Sequence, residues 1–131
     1  MSKKIQFSPP NITQAEIDEV VDTLQSGWIT TGPKTKLFEK EITSYCDSSK
    51  TACLNSATAG MELLLRMFDI GPGDEVITSA YTYTSSASVI VHCGATPILV
   101  DIKPDDFNID PARIEEAITE RTKAIIPVDI A

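Results

Sequence analysis

Apolar positions along the chain fall first into helical spacing and then into an alternation of strands and helices. Ile17, Val20, Val21 and Leu24 recur at i, i+3, i+4 and i+7 behind Thr13-Gln14-Ala15-Glu16, a capping box. This predicts a helix from about Gln14 to Gln25, closed by Ser26-Gly27. Leu37, Phe38, Ile42 and Tyr45 predict a second helix within 34–46, stopped by the polar turn Asp47-Ser48-Ser49-Lys50. From residue 51 the rhythm changes. Thr51 to Leu54 reads as a short strand, Asn55 to Thr58 as a tight polar turn, and Met61, Leu64, Leu65 and Phe68 as one face of a helix. Gly71-Pro72-Gly73-Asp74 is a turn ahead of a strand at 75–79. Residues 81–93 read as a loop running into a helix with Ser86, Val89, Ile90 and Cys93 on one face, which Gly94-Ala95 stops. A strand follows at 96–102. Asp110 then caps a helix reaching about Glu120, with Pro111 at its first position, and a strand occupies 123–130.

The predicted order is an N-terminal part, 1–50, with an extended arm at Met1 to Pro10 and two helices, followed by a βαβαβαβ part at 51–131. Apolar strand centres such as Pro97-Ile98-Leu99-Val100 and alternation with helices define an α/β class in which helices cover a mostly parallel sheet. In such sheets ligands bind beyond the carboxyl ends of the strands, where Asn55 to Thr58, Ala80 to Ser85, Asp101 to Pro104 and the residues after Asp129 converge.

Composition narrows the function classes. With 11 basic and 19 acidic residues among 131, the net charge is −8, which disfavours a non-specific grip on nucleic acid or an anionic membrane. No stretch reaches transmembrane length. Three cysteines at 46, 53 and 93 lack metal-ligand or disulfide-framework spacing, which fits a reducing cytoplasm. A lone His92 on a helix and the turn residues Asp105-Asp106 point to no metal site and no catalytic carboxylate pair.

Two strand ends carry candidate chemistry. A helix opening on the small residues Ser56, Ala57 and Thr58 presents unpaired N–H groups to a phosphate or carboxylate; alternatively Ser56 and Thr58 serve only as caps. Tyr81 and Tyr83 among hydroxyl residues supply an aromatic platform at the next strand end, suiting a ligand with a phosphate and a flat ring. Upstream, Trp28-Ile29-Thr30-Thr31-Gly32-Pro33 joins the chain's only Trp to two hydroxyls and a close-approach glycine; it reads either as a ligand-facing loop or as a Trp plugging the core beside a turn.

Five segments occur together and in order: Ser26-Gly27-Trp28-Ile29-Thr30-Thr31-Gly32-Pro33, Asn55-Ser56-Ala57-Thr58-Ala59, Gly71-Pro72-Gly73-Asp74-Glu75-Val76-Ile77-Thr78, Gly94-Ala95-Thr96-Pro97 with Val100-Asp101, and Thr122-Lys123-Ala124-Ile125-Ile126-Pro127-Val128. In this the chain resembles the DegT/DnrJ/EryC1/StrS sugar aminotransferases, of the aspartate-aminotransferase fold type. The resemblance implies pyridoxal 5'-phosphate as cofactor, with Ser56, Ala57 and Thr58 at its phosphate and Tyr83 stacked on its ring. It implies that Thr31 and Gly32 line the substrate side. The implied substrates are a nucleotide-linked keto sugar and an amino-acid donor such as glutamate, with the site at a homodimer interface. The resemblance also implies that the Schiff-base Lys and the Asp pairing with the pyridinium nitrogen follow Ala131, so that 1–131 is an N-terminal part and inactive alone. Neither Lys103 nor Lys123 matches the catalytic position, and Asp129 departs from the His that many relatives carry. The same resemblance leaves open a cofactor-dependent sugar dehydratase, and a truncated phosphate-binding or oligomerisation module stands as a non-catalytic alternative. It implies, finally, that strands 75–79, 97–101 and 123–129 neighbour one another while 51–54 pairs with strands from later sequence.

Overall fold

The computed structural model describes residues 9–130, which divide into two units between Cys53 and Leu54. Most of the arm expected at Met1 to Pro10 lies outside the described residues.

The first unit holds α1 (Gln14–Ser26) and α2 (Pro33–Tyr45). The capping box forms: the Ala15 amide donates to Thr13 Oγ1 at 3.3 Å, and Glu16 accepts from the Thr13 amide at 2.5 Å. Gly27, at φ 71°, turns the chain out of α1 in the left-handed region that glycine tolerates. Lys34 Nζ ties the helices together, 2.6 Å from Glu19 and 2.8 Å from Asp22, and these partners, Asp22 foremost, raise its pKa. Neither helix buries a side chain, and Gly32 is the single buried residue among the described residues of this unit.

Residues 51–54 form no strand, contrary to the sequence-based expectation. A strand exists by pairing with another, and here polar groups of α2 take that role. The Cys53 amide donates to the Glu39 carboxylate at 2.9 Å, and the Thr43 and Thr51 hydroxyls meet at 2.8 Å.

The second unit runs α3 (Ala57–Met67), β1 (Glu75–Ser79), α4 (Ser85–His92), β2 (Thr96–Val100), α5 (Pro111–Ala117) and β3 (Thr122–Ile126). Its sheet is wholly parallel in the order β2-β1-β3, so the three expected neighbours do pair, with Ile77 opposite Ile98 on one side and Ile125 on the other. Every residue of central β1 is buried. Val76 shares a core with Leu65 of α3, Ile70 after it, Val89 and Ile90 of α4, and Cys93 and Ala95 beyond that helix; Met61, Ala124 and Ile126 flank this core. β1's polar residues are all partnered, as burial demands. Glu75 is paired with Arg121 and accepts from the Thr119 hydroxyl at 2.5 Å, and the Thr78 hydroxyl donates to the Ile126 carbonyl at 2.9 Å.

Several elements end earlier than periodicity predicts. β2 stops at Val100 because the Ile102 amide turns to the Asp101 carboxylate at 2.9 Å and Ile102 bridges antiparallel to Ile109. α5 stops at Ala117, where Ile118 adopts extended dihedrals. β3 stops at Ile126, and the following Pro127 has no N–H to continue a ladder. No helix is long and apolar enough to cross a membrane among the described residues.

Candidate functional site

The strongest candidate site lies at the carboxyl end of the second unit's sheet. The turn at 68–74 joins α3 to the start of β1, and α3 packs on α4, with Met61 and Leu65 beside Ala124 and Ile126 of β3. Ser56, Ala57 and Thr58 stand at the N-terminus of α3, and the cleft at the end of β1 is lined by other residues.

At that N-terminus Ser56 is extended (φ −163°, ψ 155°), and its Oγ accepts from the Ala59 amide at 3.1 Å while its carbonyl accepts from the Gly60 amide at 3.2 Å. The Ala57 and Thr58 amides take part in no hydrogen bond among the described residues, nor does the Thr58 hydroxyl. Ser56 therefore caps the helix, and two backbone donors remain, aligned with the positive end of the helix dipole.

At the end of β1 the Tyr81 amide donates to Ser79 Oγ at 3.1 Å, which fixes the turn that carries Tyr81, Thr82 and Tyr83. The Thr82 and Ser86 hydroxyls lie 2.8 Å apart, and the Ser86 amide donates to the Tyr83 carbonyl at 3.0 Å. A cleft of about 470 Å³ opens here, lined by Tyr81, Thr82, Tyr83, Ser86, Val128 and Ile130. Tyr83 is 82% exposed and offers its ring to whatever enters, whereas Tyr81 leans on Phe107 with ring centroids 5.9 Å apart. Thr82 and Ile130 fall in the strand-end segments expected from the sequence, Ala80 to Ser85 and the residues after Asp129, whereas Ser86 and Val128 were not site candidates. The available signal was Ser86, a hydroxyl on the otherwise apolar face formed with Val89, Ile90 and Cys93.

Thr31 and Gly32 belong to the first unit, and Ser56, Ala57, Thr58 and Tyr83 to the second. The Trp28 ring does not plug a core: it is 57% exposed and borders a cavity of about 320 Å³ with Thr23, Ser26, Ile29, Thr30 and Gly32 among its walls. Its Nε1 donates to the Thr31 carbonyl at 3.0 Å.

Two groups of charged residues pair away from this cleft. Lys103 is paired with Asp106, which raises the pKa of the ammonium and holds the carboxyl below the usual range. His92 Nδ1 lies 3.1 Å from Glu62, itself 2.7 Å from Arg66; Arg66 foremost, then His92, depresses the Glu62 pKa. Among the described residues no group of three or more His, Cys, Asp or Glu could hold a metal ion.

Comparison with known proteins bears on this arrangement. The chain is 48% identical over 124 residues to the spore coat polysaccharide biosynthesis protein SpsC of Bacillus subtilis, covering 95% of this chain and 32% of SpsC. It is 48% identical over 122 residues to the UDP-4-amino-4-deoxy-L-arabinose–oxoglutarate aminotransferase of Shewanella sediminis, covering 93% of this chain and 31% of that enzyme. Its fold superposes on Spr1654 of Streptococcus pneumoniae in the PLP-form with a TM-score of 0.89 and 62% identity, over 98% of this chain and 33% of that one. The chain thus spans about a third of the length of the curated relatives it matches. The model of the DegT/DnrJ/EryC1/StrS aminotransferase family matches residues 10–131, and the chain belongs to that family.

Proposed function

We propose that this chain is the N-terminal part of a pyridoxal-phosphate-dependent aminotransferase that transfers an amino group from an amino acid, glutamate, to a nucleotide-linked keto sugar. The observation that carries this reading is the pair of unbonded amides at Ala57 and Thr58 at the start of α3, and the Tyr83-lined cleft at the end of β1 supports it. These residues fit the cofactor: two N–H donors at a helix start suit a phosphate, and an exposed aromatic ring suits a flat pyridine.

When bound, pyridoxal phosphate supplies an electron sink that lets an amino group leave one carbon and join another. The chain's own residues bind and orient. The Ala57 and Thr58 amides hold the phosphate, with the Thr58 hydroxyl as a third donor. Ser56 keeps those amides in place through its cap. Tyr83 stacks on the ring, and the Thr82–Ser86 hydroxyl pair fixes the turn from which it projects. Thr31 and Gly32 line the substrate side. In this reading the amine nucleophile and the carboxylate partner of the ring nitrogen come from sequence after Ala131, and the complete protein works as a cytoplasmic homodimer. The names of the Shewanella and Bacillus relatives support a sugar substrate and a role in polysaccharide biosynthesis.

The test is reconstitution of the complete protein with pyridoxal phosphate. Cofactor absorption that co-elutes with the protein, and glutamate-dependent amination of a nucleotide-linked keto sugar detected by mass spectrometry, are the expected results. Failure to retain the cofactor would refute the reading.

A further inference from the structure

Gly32 is extended at φ −158° and ψ −153°, a backbone that any residue adopts, so conformation does not call for glycine. Space does. A Cβ at Gly32 would lie 2.2 Å from Trp28 Nε1, 2.3 Å from Cδ1 and 2.9 Å from Cε2. The edge of the indole therefore rests on the Gly32 backbone while its N–H reaches back to the Thr31 carbonyl at 3.0 Å.

Both ends of this loop are fastened. The Trp28 amide donates to Ser26 Oγ at 3.1 Å, and that hydroxyl donates to the Thr23 carbonyl in the last turn of α1 at 2.7 Å. The Gly32 carbonyl accepts from the Lys36 amide at 3.1 Å and starts α2. Between these anchors the Thr30 and Thr31 hydroxyls have no hydrogen bond among the described residues and remain available to a ligand.

We propose that Trp28 is a positioning residue: lying across Gly32 and bonded to the Thr31 carbonyl, it holds the 28–33 loop preformed so that Thr30 and Thr31 meet the sugar substrate without an ordering cost. This rests on the amino-transfer reading above. It assigns the indole no contact with the reacting atoms; Trp28 acts through Thr31.

The experiment compares the complete wild-type protein with Trp28→Phe, which keeps a ring but removes the N–H, and Gly32→Ala, whose methyl displaces the indole. Amide hydrogen exchange across residues 28–35 is expected to quicken about tenfold in Trp28→Phe, the fold-change of one lost hydrogen bond, and further in Gly32→Ala. KM for the nucleotide-linked keto sugar is expected to rise about tenfold, with kcat within about twofold and KM for the amino donor unchanged. Unchanged exchange and unchanged sugar KM in both variants would overturn the proposal, as would a fall in kcat alone. If Gly32→Ala does not fold, Trp28→Phe decides. A wild-type protein without amino transfer would overturn the proposed function and the substrate role together, and the exchange comparison would still decide whether the clasp exists.

Discussion

The hydroxyl of Ser56 accepts a hydrogen bond from the Ala59 amide at 3.1 Å, and this contact separates two roles that the sequence leaves merged. With its hydroxyl committed to capping α3, Ser56 orders the cradle, and the Ala57 and Thr58 amides are left to bind. Ser56→Ala is expected to destabilise the protein by about 1 kcal/mol, the usual cost of a lost cap, with a small change in cofactor affinity. Ser56→Asp keeps a capping oxygen but sets a negative charge beside the phosphate, so stability should hold while cofactor affinity falls. Thermal melts paired with cofactor titrations separate the two effects; a large loss of affinity in Ser56→Ala would make the hydroxyl a direct ligand instead.

Glu75 is buried at the start of β1, the end of the sheet opposite the candidate site, and is held by Arg121 and Thr119. Removing Arg121 leaves that carboxylate with a single hydroxyl donor. Because the guanidinium is itself 68% exposed and screened by solvent, Arg121→Ala is expected to cost about 1–2 kcal/mol in denaturant unfolding, with cofactor affinity unchanged. A shift in affinity without a loss of stability would contradict this account of the pair.

Acid sensitivity follows from Glu62 of α3, which pairs with Arg66 one turn on and with His92 at the end of α4. Arg66 foremost and His92 next hold its carboxyl below the usual range. A depressed carboxylate contributes stability that is complete above its unfolded-state pKa and is lost as pH falls through the lower folded value. Unfolding midpoints measured from about pH 6 down to about pH 3 should fall more steeply for wild type than for Glu62→Gln. Parallel curves would show that this link carries no proton-coupled stability.

The helices were legible where local chemistry decides them. The Thr13–Glu16 box, Asp110 before Pro111, and Ser56 before α3 each mark a start that depends on residues within one turn. The parallel class and the β2-β1-β3 neighbours were legible through alternation and resemblance. Residues 51–54 were not, because the same apolar run serves as a strand or as an extended segment depending on what lies beside it, and here Glu39 and Thr43 do. The exposure of Trp28 was equally hidden: composition marks a large aromatic for the core, whereas the ring is held on the surface by a carbonyl and a glycine three and four residues on. Ser86 was placed on a helix face, but its pairing with Thr82 was not legible, because the loop's fold alone brings the two hydroxyls within 2.8 Å.

The central claim is that the backbone at the start of α3 grips a phosphate, and Ala57→Pro tests it most directly. Ala57 is the first residue of α3, where proline is tolerated, and Ser56 before it already has the extended dihedrals that a following proline demands. The substitution therefore deletes one of the two unbonded N–H groups and spares the helix. Titrating the complete protein with pyridoxal phosphate should show a Kd about tenfold or more above wild type, the worth of a hydrogen bond to a charged group, with an unchanged melting temperature in the absence of cofactor. An unchanged Kd in a folded Ala57→Pro protein would contradict the account.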